Sequence, residues 1–233
     1  MQFKSLPGIA LIILVFSLSA CHPPHDEAYY DRSYIASGEY QYIDYAFRPY
    51  ETYRIELVTY SGDADVAVFN EYGELVVFSD EYSTRTDEVI FTAGNVNYQI
   101  EIYGNYGSDY DLYIEQLPYY DTGLSTDTDG IEFVIDSNAF TGDIYSPLAT
   151  RSFEVNHEYN ALTITPAPDR VWLATTPTGT IYNSRGSTTV SATILETPSP
   201  AATNYASIIV RAEDYDGKVN VFKEVEIVYR VVN

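Results

Sequence analysis

Apolar and polar residues alternate with a period of two along most of the chain beyond its first twenty residues, a pattern typical of β-strands that bury one face. In the segment 96–102, Val, Tyr and Ile positions alternate with amide and acidic side chains. The segments 53–59 and 110–115 show the same alternation. No long window places apolar residues at helical spacing, so the sequence predicts an all-β fold.

The turns between these segments predict how some of the strands pair. Residues 104–108 are rich in Gly, Asn and Ser, so the flanking segments 96–102 and 110–115 are predicted to form a β-hairpin. A second turn, at 70–73, separates two shorter strands. Short strands joined by Gly-containing turns predict a β-sandwich or a barrel.

The second half of the chain continues with strands of a different composition. Seven are predicted, at 131–135, 151–155, 161–165, 171–175, 188–195, 205–212 and 219–232. Seven strands in about 100 residues are typical of an immunoglobulin-like sandwich. Trp172, the only tryptophan, falls in a central predicted strand and is expected in the core. The Asp-Tyr-Asp-Gly sequence at 214–217 predicts a hairpin turn between the last two strands.

A change in composition divides the chain in two. Of the 24 tyrosines, 18 lie between Tyr29 and Tyr120, and acidic residues are concentrated in the same half. The stretch 118–128 is polar, contains Pro and Gly and has no periodicity, so it is predicted to be a linker. Two tandem β-sandwich domains are therefore expected, a jelly-roll-like one at 33–117 and an immunoglobulin-like one at 129–233.

The N-terminal residues have the features of a bacterial lipoprotein signal. Lys4 precedes an apolar stretch of about ten residues, too short to span a bilayer as a helix, which ends in Leu-Ser-Ala-Cys at 18–21. Cys21 is the only cysteine. We therefore predict that residues 1–20 are removed as a signal peptide, that Cys21 is lipidated, and that residues 21–32 form a tether. A plain signal peptide with an incidental cysteine and an uncleaved anchor are the alternatives.

The predicted lipid anchor also indicates a location. Acyl chains on Cys21 would hold the protein in the membrane, because each buried methylene contributes about 0.8 kcal/mol. The residue after Cys21 is His22 rather than Asp, which favours the outer membrane. The expected location is therefore the bacterial cell envelope, at the outer membrane.

The chain is strongly acidic, with 34 Asp and Glu against 12 Lys and Arg and a formal net charge of −22 at pH 7. This charge argues against nucleic acid as a partner, because Lys and Arg supply the affinity for phosphates. It also argues against docking on anionic lipid. Neutral, cationic or calcium-bearing partners are expected, and the alternative is that the charge only keeps the protein soluble.

The first domain resembles the bacterial pre-peptidase C-terminal domain over roughly residues 33–117. The motifs that carry the resemblance are, in chain order, Ser37-Gly38-Glu39, Asp44-Tyr45-Ala46-Phe47, Gly62-Asp63-Ala64-Asp65-Val66-Ala67-Val68, Tyr98-Gln99-Ile100-Glu101-Ile102-Tyr103-Gly104 and Gly107-Ser108-Asp109-Tyr110-Asp111-Leu112. The resemblance implies an accessory β-sandwich rather than a catalyst, associated with secretion, stability or binding to matrix proteins and polysaccharides, and in some members with calcium. The second domain resembles immunoglobulin-like or cadherin-like bacterial repeats more vaguely, through residues 210–217.

Two pairs of carboxylates are candidate calcium ligands. Asp63 and Asp65 follow a Gly turn with one residue between them, and Asp109 and Asp111 repeat that spacing after another turn. Clustered carboxylates supply the oxygen ligands that Ca²⁺ takes, and no other cofactor is expected. The alternative is that these residues form turns by hydrogen-bonding their own backbone.

The tyrosines are too numerous for one sandwich core, so several are expected on the surface, where large rings bind sugars or proteins. Tyr42, Tyr103 and Tyr113 are predicted to form a binding surface, the latter two exposed on the polar faces of the predicted hairpin. The alternative is that Tyr is simply a good residue for half-buried strands.

Motifs of catalysis are missing from the sequence. It has no Gly-x-Ser-x-Gly elbow and no His-Glu-x-x-His helix, and His157 is predicted to be a solvated turn residue. We therefore expect a non-enzymatic, lipid-anchored envelope protein that binds a protein or polysaccharide through its first domain. A structural spacer without a specific ligand and a hydrolase that uses paired carboxylates are the alternatives.

Overall fold

The computed structural model describes residues 28–82, 86–118, 122–167, 170–182, 185–197 and 203–232. In these residues the chain forms β-strands and one short 3-10 helix, Ser137–Ala139, with no α-helix. The prediction of an all-β fold made of β-sandwiches is confirmed.

Eight strands precede the predicted linker and nine lie within or after it in the described part of the chain. The first group is β1 (Tyr29–Ile35), β2 (Tyr40–Asp44), β3 (Thr52–Thr59), β4 (Asp63–Asn70), β5 (Leu75–Ser79), β6 (Thr86–Thr92), β7 (Tyr98–Tyr106) and β8 (Ser108–Leu117). The second group is β9 (Leu124–Thr126), β10 (Gly130–Asp136), β11 (Pro147–His157), β12 (Ala161–Pro166), β13 (Leu173–Thr176), β14 (Gly179–Tyr182), β15 (Gly186–Leu195), β16 (Thr203–Glu213) and β17 (Val219–Val232).

The first sandwich packs β1-β8-β3-β6 against β2-β7-β4-β5. Alternation decides which side chains meet between the sheets. In β3, Ile55 and Leu57 are fully buried, whereas Arg54 and Glu56 lie on the opposite, partly exposed face. Full burial of one such aliphatic side chain stabilises the fold by roughly 1.5–3 kcal/mol, so the inward positions hold the sandwich together and the outward ones form its surface.

The predicted hairpin between 96–102 and 110–115 is wrong. β7 pairs with β2 and β4, whereas β8 pairs with β1 and β3, so the two strands belong to opposite sheets. The chain crosses between the sheets at Gly107, the one residue that separates β7 from β8. Ile102 and Leu112 point into the same core from opposite sides, and a period of two does not distinguish this arrangement from pairing within one sheet.

The second sandwich packs β13-β15-β11-β9 against β10, β17, β16 and β12. Trp172 is buried in its core, as predicted, with its ring centroid 4.8 Å from that of Tyr229. The strand that follows it, β13, lies at the edge of its sheet rather than at the centre, which corrects the sequence-based placement. Strand β9 falls inside the range 118–128 that the sequence assigned to a linker.

One sheet passes through both sandwiches. β6 pairs in parallel with β17 to form a nine-stranded sheet, and the amide of Ile90 donates to the carbonyl of Lys218 at 2.8 Å. The turn between β16 and β17 also docks on β5, where the amide of Phe78 donates to the carbonyl of Gly217 at 3.2 Å and Lys218 pairs with Glu81. The two hydrophobic cores are separate, but the sandwiches share backbone hydrogen bonds.

Cys21, the predicted signal peptide and residues 21–27 of the predicted tether lie outside the described residues. Residues 29–32 do not belong to a tether as predicted, because they form the first part of β1 and pair with β8. Within the described part of the chain, no helix has the length and hydropathy needed to cross a membrane.

Candidate functional site

Five side chains meet on the outward surface of the first sandwich and are called the tyrosine face: Tyr30, Arg32, Tyr60, Asp111 and Tyr113. In the β1–β8 ladder, Tyr30 lies opposite Tyr113 and Arg32 lies opposite Asp111. Tyr60 directly follows β3, which pairs with the other side of β8. Three strands that are distant in sequence therefore place these side chains together.

Asp111 is the centre of the tyrosine face. Tyr60 Oη donates to Asp111 Oδ2 at 2.6 Å, and Tyr113 Oη donates to the same oxygen at 3.3 Å. Arg32 Nε lies 3.3 Å from Asp111 Oδ1, an ion pair that is not aligned as a hydrogen bond. The residue Asp111 is only 4% exposed, so its carboxylate is enclosed by the groups that it holds.

The electrostatics fix the protonation states of this cluster. The hydrogen bond to Asp111, followed by partial burial and the negative charge of Asp111, raises the pKa of Tyr60 to about 12. The hydrogen bond from Tyr60, together with the nearby Tyr30 hydroxyl, the charge of Arg32 and the hydrogen bond from Tyr113, lowers the pKa of Asp111. At neutral pH the phenols are therefore neutral donors and Asp111 is an ionised acceptor.

The rings of the tyrosine face remain accessible although their hydroxyls are occupied. Tyr30 is 51% exposed and Tyr60 is 54% exposed. The Tyr30 and Tyr113 ring centroids are 5.2 Å apart, and the Arg32 guanidinium lies 5.3 Å from the Tyr60 ring centroid. Such contacts are favourable packing arrangements for aromatic rings, so the surface presents rings that pack on their neighbours while staying accessible.

The three tyrosines chosen from the sequence do not form one surface. Tyr113 belongs to the tyrosine face, whereas Tyr42 and Tyr103 lie on the outward surface of β2 and β7, in the other sheet. Tyr42 is exposed, but Tyr103 and Tyr113 are half-buried, which corrects their predicted exposure. Tyr103 packs on the ring of Tyr40 at a centroid distance of 4.6 Å, much as Tyr113 packs on Tyr30.

Sequence reasoning missed Tyr30 and Tyr60. The alternation of Tyr30, Arg32 and Tyr34 was visible and shows that the three share a face. Nothing local to β1 shows that β8 is its neighbour, because strand pairing is a property of the whole sheet. Without that register, the link between these residues and Asp111 could not be derived.

A second cluster surrounds the predicted calcium ligands Asp63 and Asp65. Asn105 Nδ2 donates to Asp63 Oδ2 at 3.2 Å and to Asp65 Oδ2 at 2.7 Å, so the two carboxylates do lie on one side of β4. Asp87, on β6, is 1% exposed and accepts from Ser79 Oγ at 2.6 Å. Asp65 Oδ1 and Asp87 Oδ2 are buried oxygens without a hydrogen-bond donor.

Two carboxylates of this cluster, Asp65 and Asp87, have raised pKa values. Burial, followed by the negative charge of Asp63 and Asp87, raises the pKa of Asp65 to about 6. Burial also raises the pKa of Asp87, against the hydrogen bond from Ser79. Acidic groups with raised pKa values destabilise the fold when they ionise, because the unfolded chain releases the proton more readily.

A stability measurement across pH tests this reading of Asp65. Because its folded pKa lies above the unfolded value, its contribution to stability is complete below about pH 4 and is lost as pH rises through about 6. We expect the Tm to rise as pH falls from 7.5 to 5, and Asp65→Asn to raise the Tm at pH 7.5 by about 3 °C while flattening this dependence. The control is Asp109→Asn, on an exposed position; an equal gain there would contradict the assignment.

The two side chains of the second predicted calcium pair, Asp109 and Asp111, have different surroundings. Asp109 is exposed and its Oδ2 contacts Ser61 Oγ at 3.4 Å, whereas Asp111 is held in the tyrosine face. In the described residues, no group of three or more His, Cys, Asp or Glu side chains is arranged to hold a metal ion. Calcium binding at either pair stays a prediction.

His157 was predicted to be a solvated turn residue, and this is wrong. It is the last residue of β11 and is 3% exposed. Val155 and His157 point inward from the same face of β11, and Leu124 of β9 pairs with His157. The strand continues two residues beyond the last predicted apolar position, so His157 is part of the sheet, beside β9, instead of lying in a turn.

No protein-family model and no curated protein matches the sequence. Among solved structures, the chain is similar to the Bacillus licheniformis lipase BlEst2 in propeptide form, with 6% identity, a TM-score of 0.31 and coverage of 97% of this chain. This chain spans 43% of the length of that lipase chain.

The chain is also similar to a protein of unknown function from Porphyromonas gingivalis W83, with 11% identity, a TM-score of 0.30 and coverage of 83% of this chain and 100% of that one. A third likeness is to the Vibrio cholerae VesB protease, with 11% identity, a TM-score of 0.26 and coverage of 74% and 61%. At these TM-scores the likenesses carry no argument about function.

Proposed function

We propose that this chain is a non-enzymatic, lipid-anchored protein of the bacterial cell envelope that binds polysaccharide through the tyrosine face. The observation that carries the proposal is the buried Asp111 carboxylate, which holds the hydroxyls of Tyr60 and Tyr113 while the rings of Tyr30 and Tyr60 stay about half exposed. The arrangement leaves aromatic faces open while the hydroxyls of Tyr60 and Tyr113 are hydrogen-bonded to Asp111.

Rings that are held by their neighbours before binding are suited to extended, uncharged ligands with an apolar face. Immobilising one flexible side chain on binding costs roughly 0.5–1.5 kcal/mol, and Tyr60 and Tyr113 are already held by Asp111. A sugar ring has an apolar face that stacks on an aromatic ring, and its hydroxyls meet the phenol and guanidinium groups at the edges. Arg32, which lies against the ring of Tyr60, supplies the guanidinium group.

The charge around the tyrosine face favours a neutral polysaccharide. Glu56 lies opposite Tyr113 in the β3–β8 ladder, and Asp109 and Glu115 share the same outward face of β8. With a net charge of −22 in the chain, a polyanionic ligand would be repelled. An envelope protein is the other partner class expected from the sequence. The tyrosine variants described below also test binding of such a protein.

The proposed anchor limits where the face can act. A lipidated Cys21 is nine residues before Tyr30, and nine residues reach at most about 30 Å when fully extended. The tyrosine face would therefore stay near the membrane that holds the lipid, within reach of the polysaccharide closest to it. The resemblance of residues 33–117 to the pre-peptidase C-terminal domain supports the same class of function.

A binding assay with paired variants tests the proposal. The full chain in detergent is titrated by calorimetry with a panel of neutral bacterial polysaccharides. We expect saturable binding to at least one of them, and a loss of affinity of at least about tenfold in Tyr30→Ala/Tyr60→Ala, because hot-spot aromatic contacts are worth 2 kcal/mol or more.

The matched control is Tyr72→Ala. Tyr72 is 72% exposed on the turn between β4 and β5, away from the tyrosine face. Its loss should leave affinity unchanged. Equal effects of the two replacements, or binding that survives the double variant, would refute the role of the tyrosine face. Capture of one envelope protein that depends on Tyr30 and Tyr60, without polysaccharide binding, would replace polysaccharide by protein as the partner.

A further inference from the structure

A cavity of about 460 Å³ lies where the two sandwiches meet. Its lining comes from both: Tyr50, Glu51 and Thr52 from the first sandwich, and Phe222 and Glu224 from β17 of the second. Small-molecule sites are commonly cavities of this size at domain junctions. This cavity is separate from the tyrosine face and shares no residue with it.

Two aromatic rings, one from each sandwich, form part of the lining. The Tyr50 and Phe222 ring centroids are 6.3 Å apart and the rings are almost perpendicular, at 83°. Tyr50 is 60% exposed and has a φ of 66°, in the left-handed region that non-glycine residues rarely occupy. Its amide donates to the carbonyl of Ala93 at 2.6 Å, so the surrounding backbone holds the residue in this strained conformation.

The buried part of the lining has a spare hydrogen-bond donor. Thr52 and Thr92 are 7% and 4% exposed, and their Oγ1 atoms are 2.9 Å apart. The amide of Phe222 donates to Thr92 Oγ1 at 3.1 Å. The two hydroxyls carry two hydrogens but only one lies between them, so the other has no acceptor among the described residues and is available to an oxygen in the cavity.

The charges of the lining are unbalanced. Asp129 pairs with Lys223, with Nζ 2.7 Å from Oδ1. Glu51 and Glu224 also line the cavity, and their carboxylates have no basic partner in the described part of the chain. The cavity therefore has an excess of two negative charges beside two aromatic rings, a combination that attracts organic cations.

We propose that this cavity binds a sugar that carries a free amino group. The ammonium would be held by Glu51 and Glu224, the apolar face of the sugar would lie on Tyr50, and a ring hydroxyl or ether oxygen would accept from the Thr52–Thr92 pair. Such a ligand would contact the carboxylates, the aromatic ring and the threonine pair. A neutral sugar has no ammonium group for the carboxylates, and a simple alkylamine has no ring or oxygen for the other two. The inference does not depend on the tyrosine face.

Calorimetric titration of the full chain in detergent tests the proposal, with glucosamine as the probe and glucose and N-acetylglucosamine as its neutral counterparts. We expect the Kd for glucosamine to be at least about tenfold lower than for either neutral sugar, since charge-assisted hydrogen bonds are the stronger ones. Glu51→Gln/Glu224→Gln should remove this preference. Glu226→Gln, on the same strand, should not.

Tyr50→Gly separates a binding role from a structural one. Glycine adopts a positive φ without strain, so this variant should keep or raise the Tm while its affinity for glucosamine falls at least about tenfold. Equal affinity for glucosamine and glucose, no binding of any of the three sugars, or full binding by Tyr50→Gly would overturn the proposal. Tyr30→Ala/Tyr60→Ala should bind glucosamine normally, so failure of the tyrosine face and failure of the cavity give different results.

Discussion

Replacing Gly62 with alanine is expected to lower the Tm by about 10 °C, equivalent to roughly 3–4 kcal/mol for a chain of this size. Gly62 has a φ of +74°, and a Cβ there would lie 2.3 Å from the carbonyl oxygen of Gly107 and 2.6 Å from Ser108 Oγ. The left-handed conformation alone costs on the order of 1–3 kcal/mol for alanine. The clash adds to it, because Gly107 is the crossing between β7 and β8 and its backbone cannot move without shifting both sheets.

Gly73→Ala is the matched control. Gly73 has nearly the same φ, +76°, but a Cβ there would meet nothing within 4 Å. We expect it to lower the Tm by only about 3 °C, which reflects the conformational strain without the clash. If the two variants lose the same stability, the close approach of Gly62 to the Gly107 crossing is contradicted.

The Gly62→Ala experiment also reports on the junction of the sandwiches. Trp172 is the only tryptophan, and it lies in the core of the second sandwich. Because β6 and β17 belong to one sheet, we expect the Trp172 fluorescence transition to move with the transition of the first sandwich. A fluorescence transition that stays at the wild-type temperature would show that the sandwiches unfold independently.

Replacing Trp172 with alanine is expected to destabilise the protein by about 4 kcal/mol. Trp172 is 7% exposed and Tyr229, on which its ring packs edge to face, is 1% exposed. Removing the indole leaves a cavity between β13 and β17 and exposes the ring of Tyr229 to it. The loss should lower the Tm by about 12 °C, measured by calorimetry or circular dichroism because the variant has no tryptophan to report.

Val171→Ala is the control for this second prediction. Val171 is the preceding residue and is 61% exposed, so its replacement should change the Tm by less than about 1 °C. Trp172→Phe keeps an aromatic ring and should recover more than half of the lost stability. A Trp172→Ala variant that melts like the wild type would mean that the second core does not depend on this ring.

Much of the strand assignment followed from the sequence. The predicted strands 161–165 and 219–232 correspond to β12 (Ala161–Pro166) and β17 (Val219–Val232). These predictions succeeded because a strand with one buried face needs apolar residues at every second position. Trp172 is also buried in a core as predicted, although it precedes β13 and its neighbour Leu173 is buried as well, so alternation does not explain its position.

The candidate site was predicted much less well. The reason is that its contacts depend on which strands pair and on the register of that pairing. Asp111 was chosen as a calcium ligand from its spacing to Asp109, but the structure shows that it holds Tyr60, which is 51 positions away in the chain. Asp87 was not chosen at all, although it is buried beside the predicted ligands Asp63 and Asp65. Contacts of this kind depend on which strands are neighbours, and local patterns carry no information on that.

The sequence by itself therefore determined the all-β class, the position of most strands and the net negative charge, because each depends on residue types or their short-range spacing. Lipidation of Cys21 stays a prediction from the same kind of pattern. Only the tertiary structure decided that β7 and β8 lie in opposite sheets, that β6 and β17 join the sandwiches, and that Tyr30, Tyr60 and Tyr113 meet at Asp111. The physical reason is that alternation specifies which face of a strand is buried, whereas the choice of its neighbours is made by the packing of the whole chain.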